Sequence, residues 1–165
     1  MPIFINVMEF KDLQKKMMRR ALKLAREGRV MDNGGPFGAV MTKGDEIIAE
    51  SRNEVVCKGD CTQHAELRVI QRACRKLKTL NLKGCVLYTS CEPCMMCLGA
   101  AYWADIDYIY YGASAKDAKE YGFKYSDMFY ASNDDKRHEE FKMIQICREE
   151  ALDLWNNIKP EELQI

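Results

Sequence analysis

The 165-residue sequence carries no net charge, because 25 lysines and arginines are matched by 25 aspartates and glutamates. Without a basic excess there is no whole-molecule field to draw phosphate backbones, which argues against nucleic acid as the main partner. The local basic clusters KDLQKKMMRR and QRACRKLK fall in helical patterns, where interspersed charge marks a solvated face. Long apolar runs are also missing, and none approaches the ~20 residues of a membrane-spanning helix. The stretch Met1–Phe10 is only briefly apolar and lacks the charged start and small-residue cleavage site of a signal peptide, so the expected compartment is the cytoplasm. Repeats, low-complexity tracts and linkers are absent too. With 47% hydrophobic residues and only four prolines, the chain can fill one core, and a single domain over residues 1–165 is expected.

Cysteine, in contrast, is plentiful, with eight in the chain. In a small secreted protein that number would suggest disulfides. Without a secretion signal, and with three of them spaced by three in CEPCMMCLGAAYW (Cys91 to Trp103), they point to reduced thiols used for metal binding or catalysis.

Apolar residues from Phe10 to Ala25 recur at steps of three and four, which predicts an amphipathic helix from Met8 to a stop at Gly28. A strand ending near Met41, the turn KGDE and the strand IIAES form a hairpin. A helix follows from about His64, capped by Thr62 or a neighbour, to about Leu77. CVLYTS is the next strand, CMMCLGAAYWA a helix with Pro93 in its first turn, and IDYIYYG another strand. Residues 113–139 read as irregular and polar. FKMIQI makes a last strand and REEALDLWNNI a last helix, the helix within a C-terminal segment, residues 147–165. The predicted fold class is therefore α/β: three layers, α/β/α, around a mixed sheet of about five strands. Trp103, on an apolar helix, is expected in the core.

Cys94 and Cys97 lie three apart at a helix start, so both side chains share a face and can reach one ion. The helix N-terminus favours their thiolate form. His64 supplies a nitrogen, and sulfur with imidazole selects zinc. Three protein ligands leave a fourth tetrahedral position open, as in catalytic rather than structural sites. Glu66 is turned from His64 by about 200° on a helix; it suits a proton-handling role beside the metal better than a ligand role. Two other readings compete. C-x-x-C-x-x-C resembles an iron–sulfur run but lacks its C-x-x-x-C-P continuation, and Cys91 as a fourth ligand would close the site into a structural one. Cys57 and Cys61 have no second pair to complete a site, and Cys74, Cys85 and Cys147 fall on apolar patterns where buried thiols are ordinary.

HAE at His64–Glu66 with PCMMC at Pro93–Cys97 matches the H-x-E…P-C-x-x-C signature of zinc deaminases. With GGPFGAV, AESRNEV and YTSCEPCMMCLGAAYWA, the chain resembles the cytidine deaminase-like zinc hydrolases over about Leu13–Tyr130, and within them the small bacterial type of guanine deaminase. That resemblance implies one zinc per subunit on His64, Cys94 and Cys97, with Glu66 as the proton shuttle. It implies hydrolysis of guanine to xanthine and ammonia, or of guanosine or another aminopurine. A tRNA adenosine deaminase and a non-catalytic zinc-stabilised interaction domain are the alternatives. Asn53 matches the amide that binds the base, Phe37 the aromatic beside it, and Ala65 falls among the substrate contacts. The family's acid after a GF pair matches Asp127, with Asp117 as the second choice. The resemblance also implies a homodimer in which the C-terminal segment packs on its own domain or swaps with the partner, and a terminal Tyr that KPEELQI lacks.

Overall fold

The structure, a computed structural model, describes residues 7–131 and 134–158. The start of the N-terminal stretch and the closing KPEELQI lie outside the described residues. In chain order the elements are α1 (Val7–Asp32), β1 (Gly38–Lys43), β2 (Glu46–Arg52), α2 (Val55–Lys58), α3 (Ala65–Leu77), β3 (Cys85–Cys91) and α4 (Met95–Ala104). Then come β4 (Tyr108–Ala113), α5 (Ala115–Glu120), α6 (Asp127–Tyr130), α7 (Asp134–Glu140), β5 (Met143–Gln145) and α8 (Arg148–Asn156).

The five strands form one sheet in the order β2-β1-β3-β4-β5. β1 is antiparallel to β2 and β3, whereas β3, β4 and β5 run parallel, so the sheet is mixed as expected. Both faces are covered, and the two-residue period of the strands divides the core. Ala39 and Met41 of β1, Leu87 of β3, and Ile109 and Tyr111 of β4 pack with α3 and α4. The intervening Val40, Tyr88 and Tyr110 pack with α1 and α8. Tyr88 and Tyr110 stack with ring centroids 5.2 Å apart.

Four expectations need correction. α1 continues through Gly28 and ends where Asn33 turns left-handed, at φ 49°. One helical glycine costs only about 1 kcal/mol, and the chain reversal is made instead by Asn33, whose side chain accepts a hydrogen bond from Arg29. Thr62 does not cap α3: His64 occupies the N-cap without a side-chain bond, and the Thr62 hydroxyl is engaged by Asp60. Pro93 precedes the N-cap residue Cys94 and so lies before the first turn of α4. The segment expected to be irregular holds α5, α6 and α7, short polar helices whose apolar period is too brief to read. α5 is closed by a full capping box between Ser114 and Asp117.

The close approach of α1 to the sheet depends on one residue. A Cβ on Gly38 would stand 2.2 Å from the Ala21 carbonyl oxygen and 2.6 Å from the Ala25 nitrogen, backbone atoms that cannot yield without moving the helix. Gly38→Ala is therefore expected to lower stability by about 3 kcal/mol, measured as the urea unfolding midpoint. An unchanged midpoint would contradict this packing.

Candidate active site

The site lies at the carboxyl end of β3, where the parallel half of the sheet meets the antiparallel half, the usual place for a ligand crevice in such sheets. Two helix N-termini converge there, with His64 as the N-cap of α3 and Cys94 as the N-cap of α4, both in extended backbone. Cys97 follows one turn into α4 and is fully buried. The ligand atoms of His64, Cys94 and Cys97 lie within 4.8 Å of one another.

These residues fit zinc in chemistry and in spacing. A nitrogen and a sulfur held by one tetrahedral zinc, at about 2.0 and 2.3 Å, stand about 3.5 Å apart; His64 Nδ1 and Cys94 Sγ stand 3.5 Å apart. Cys91 does not join them. Its thiol is buried, is pushed up by that burial, and lies 3.2 Å from the Tyr125 hydroxyl. Among the described residues no fourth Cys, His or carboxylate completes the group, so neither a closed structural site nor a C-x-x-C-x-x-C cluster forms.

The electrostatics suit a metal. A hydrogen bond from Cys97, followed by one from His64, holds the Cys94 thiol well below its usual value. The same hydrogen bond between the two sulfurs, together with burial, pushes the Cys97 thiol well up. The hydrogen bond to Cys94 also raises the His64 imidazole. A cation bound there would favour the thiolate form of both sulfurs. Glu66, in the first turn of α3, is buried, and desolvation raises its carboxyl. Its Oε1 lies 3.1 Å from the Thr89 hydroxyl and its Oε2 3.9 Å from Cys97 Sγ.

Beside these groups opens a cavity of about 430 Å³, lined by Phe37, Asn53, Val55, Cys61, His64, Glu66, Cys94, Phe123, Lys124 and Tyr125. Asn53 is buried, and its Oδ1 accepts from the Val55 backbone N–H at 3.1 Å. Phe37 meets Phe123 edge-on at 4.9 Å, and Trp155 of α8 packs behind both rings.

A family model for the cytidine and deoxycytidylate deaminase zinc-binding region matches residues 11–113. The chain belongs to this family. It is 49% identical over 123 residues to guanine deaminase of Bacillus subtilis, covering 74% of this chain and 78% of that one. A crystal structure of guanine deaminase from Bacillus subtilis superposes with a TM-score of 0.67 at 40% identity, covering 88% of this chain and 94% of that one. A tRNA-specific adenosine deaminase of Aquifex aeolicus is 39% identical over 102 residues, covering 62% of this chain and 64% of that one.

Against this deaminase frame, the structure brings together His64, Glu66, Cys94, Asn53 and Phe37 around the cavity, with Cys97 beneath it. Three other candidates fall outside it. Asp127 begins α6, has 91% of its side chain exposed and pairs with Lys119 at 2.6 Å. Asp117 is buried but engaged by Arg148 of α8 at 2.6 Å; burial works against its charge, yet Arg148 and the Ser114 cap hold its carboxyl below the usual range. Ala65 is fully buried, facing the core between α3 and the sheet. Trp103 is neither core nor pocket wall: it is 84% exposed on α4, on the side of that helix which no other described element covers.

Sequence reasoning missed Phe123, Lys124 and Tyr125, although the GF pair pointed close to them: the residues directly after it line the cavity, while the nearest acid does not. It also missed how this wall is held. Glu92, 1% exposed, accepts from Arg137 at 2.8 Å, from the Ala115 backbone N–H at 2.7 Å, and lies 2.9 Å from His138 Nε2.

Two outcomes are expected. By elemental analysis, Cys94→Ala loses zinc while Cys91→Ala retains one per chain; zinc loss in the Cys91 variant would make that sulfur a ligand. Arg137→Met, which strands Glu92, costs about 3 kcal/mol in denaturant unfolding, and a loss below about 1 kcal/mol would place the Glu92 charge in contact with water.

Proposed function

We propose that the protein hydrolyses guanine to xanthine and ammonia, acting on the exocyclic amino group. The observation that carries this reading is the buried carboxylate of Glu66 beside a His64–Cys94–Cys97 trio, opening onto an aromatic-walled cavity of about 430 Å³. The likeness to guanine deaminase of Bacillus subtilis over most of both chains supports the base.

Zinc held by His64, Cys94 and Cys97 would lower the pKa of bound water towards about 7. The chain's own groups do the rest. Glu66, raised by desolvation, can carry two protons in turn: one taken from the attacking water and delivered to the ring nitrogen, the second taken from the hydroxyl of the resulting adduct and delivered to the amino group as it leaves as ammonia. Thr89 holds its Oε1 in place. Because Asn53 Oδ1 is committed to a backbone N–H, its Nδ2 is the atom left to donate to the base. Phe37 supplies a ring face, and burial of Asn53 and Glu66 keeps water from competing with these contacts.

A tRNA substrate is less favoured, because the chain has no basic excess to hold a folded RNA. We infer a cytoplasmic homodimer from the family resemblance. Trp155 of α8 backs the pocket from behind Phe37.

Glu66→Gln is expected to keep its zinc and lose at least about 10³-fold in kcat for guanine, followed by ammonia release with guanosine, adenine, cytosine, cytidine and a tRNA stem-loop as comparison substrates. A near-normal rate would remove Glu66 from the mechanism. Release from another substrate with none from guanine would overturn the choice of base.

A further inference from the structure

The hydrogen-bonding capacity left open in the cavity is unevenly divided. Asn53 Oδ1 is taken by the Val55 N–H, which leaves the amide nitrogen as donor. The Tyr125 hydroxyl donates to the Glu92 carbonyl oxygen at 2.5 Å and is spent. Glu66 faces Thr89 and the metal-ligating sulfurs. Phe37, Phe123 and Val55 offer apolar surface. The remaining charged group is Lys124, which lines the cavity and has no hydrogen-bond or ion-pair partner among the described residues. Apart from Glu66 and the groups around the metal site, then, the cavity lining presents two nitrogen donors and no free carboxylate. Both acids expected there are held elsewhere, Asp117 by Arg148 and Asp127 by Lys119.

Such a wall reads acceptors. With the 2-amino carbon of a purine at Glu66, the far edge carries N7 and, in guanine, the carbonyl oxygen O6, both acceptors; an amino group at C6 would put a donor there instead. We propose that Lys124 is a specificity-determining residue that donates to the 6-carbonyl oxygen, so that the site selects 2-amino-6-oxopurines over analogues with a 6-amino group or no 6-substituent. This rests on the guanine reading above and adds to it the group that recognises the oxygen. The physical basis is the asymmetry of polar discrimination: a donor left facing a donor, or facing nothing, loses far more than an apolar wall would. Because Lys124 lies at an exposed position on a short loop, replacing it should leave the fold and the metal ligands untouched.

The test compares kcat/KM of the zinc-loaded wild type, Lys124→Met and Lys124→Arg on guanine, on 7-deazaguanine, which keeps O6 but lacks N7, and on 2-aminopurine, which keeps N7 but lacks O6. Lys124→Met is expected to lose about tenfold or more on the two oxo substrates, chiefly through KM, and to stay within about twofold on 2-aminopurine. Lys124→Arg should restore most of the loss. Zinc content and melting temperature are measured alongside and are expected to match the wild type. Equal losses on all three substrates, or no loss on any, would overturn the role of Lys124 while leaving guanine as the substrate. A wild type that turns over 2-aminopurine but neither oxo substrate would overturn both.

Discussion

Glu92 carries a carboxylate to a place almost closed to water, and the outer half of the pocket is arranged around meeting its needs. Arg137 gives it two N–H donors, the start of α5 gives a backbone N–H, and His138 stands against the same oxygen. Stranding such a charge costs several kcal/mol, so α5 and α7 are held to the β3–α4 turn. The same turn takes further bonds through its backbone: the Glu92 carbonyl accepts from Tyr125 and the Pro93 carbonyl from Tyr130. Arg137 also lies over the Tyr130 ring, 4.5 Å from its centroid. The next residue is Cys94. One buried charge thus registers the wall that faces the substrate against the residues that would hold the metal.

The reacting end obeys a different constraint, which is to bring two sulfurs and an imidazole together without closing the fourth position. Placing His64 and Cys94 at the N-caps of two helices does this with short, stiff attachments, and points unpaired backbone N–H groups at the negative charge. Cys91, three residues earlier, belongs to β3 rather than to α4, and its sulfur packs with the cluster on the α1 and α8 face of the sheet, against the Tyr125 hydroxyl. A strand-to-helix change between Cys91 and Cys94 therefore turns a three-cysteine run into a two-cysteine site.

The framework and the reacting residues were legible in the sequence because both are local patterns. Alternation in CVLYTS and IDYIYYG gives strands with two buried faces, and H-x-E with P-C-x-x-C states ligand chemistry at helical spacing. What was hidden depends on pairing across distance. Asp117 looks like a free acid until Arg148, 31 residues on, occupies it. Asp127 sits two residues beyond the stretch that lines the cavity. Trp103 looked like core because α4 is apolar on all sides, but only its Cys97, Leu98, Ala101 and Ala104 side is buried. The helices between β4 and β5 have too few apolar residues to announce a period; their order comes from Glu92, which no local pattern in residues 113–139 contains.

This division has a consequence for how such a site can change. His64, Glu66, Cys94 and Asn53 are anchored directly to the sheet or to helices packed on it, where a shift of one residue would disturb the core. Phe123, Lys124 and Tyr125 lie on a short stretch between α5 and α6, fixed by the Tyr125–Glu92 bond and by the packing of Phe123 on Phe37 and Trp155. Lys124, between those two anchors, is free of both. Replacing it alters what the cavity lining offers to a base without moving the groups that do the hydrolysis. The polarity of recognition can therefore change while the chemistry stays fixed.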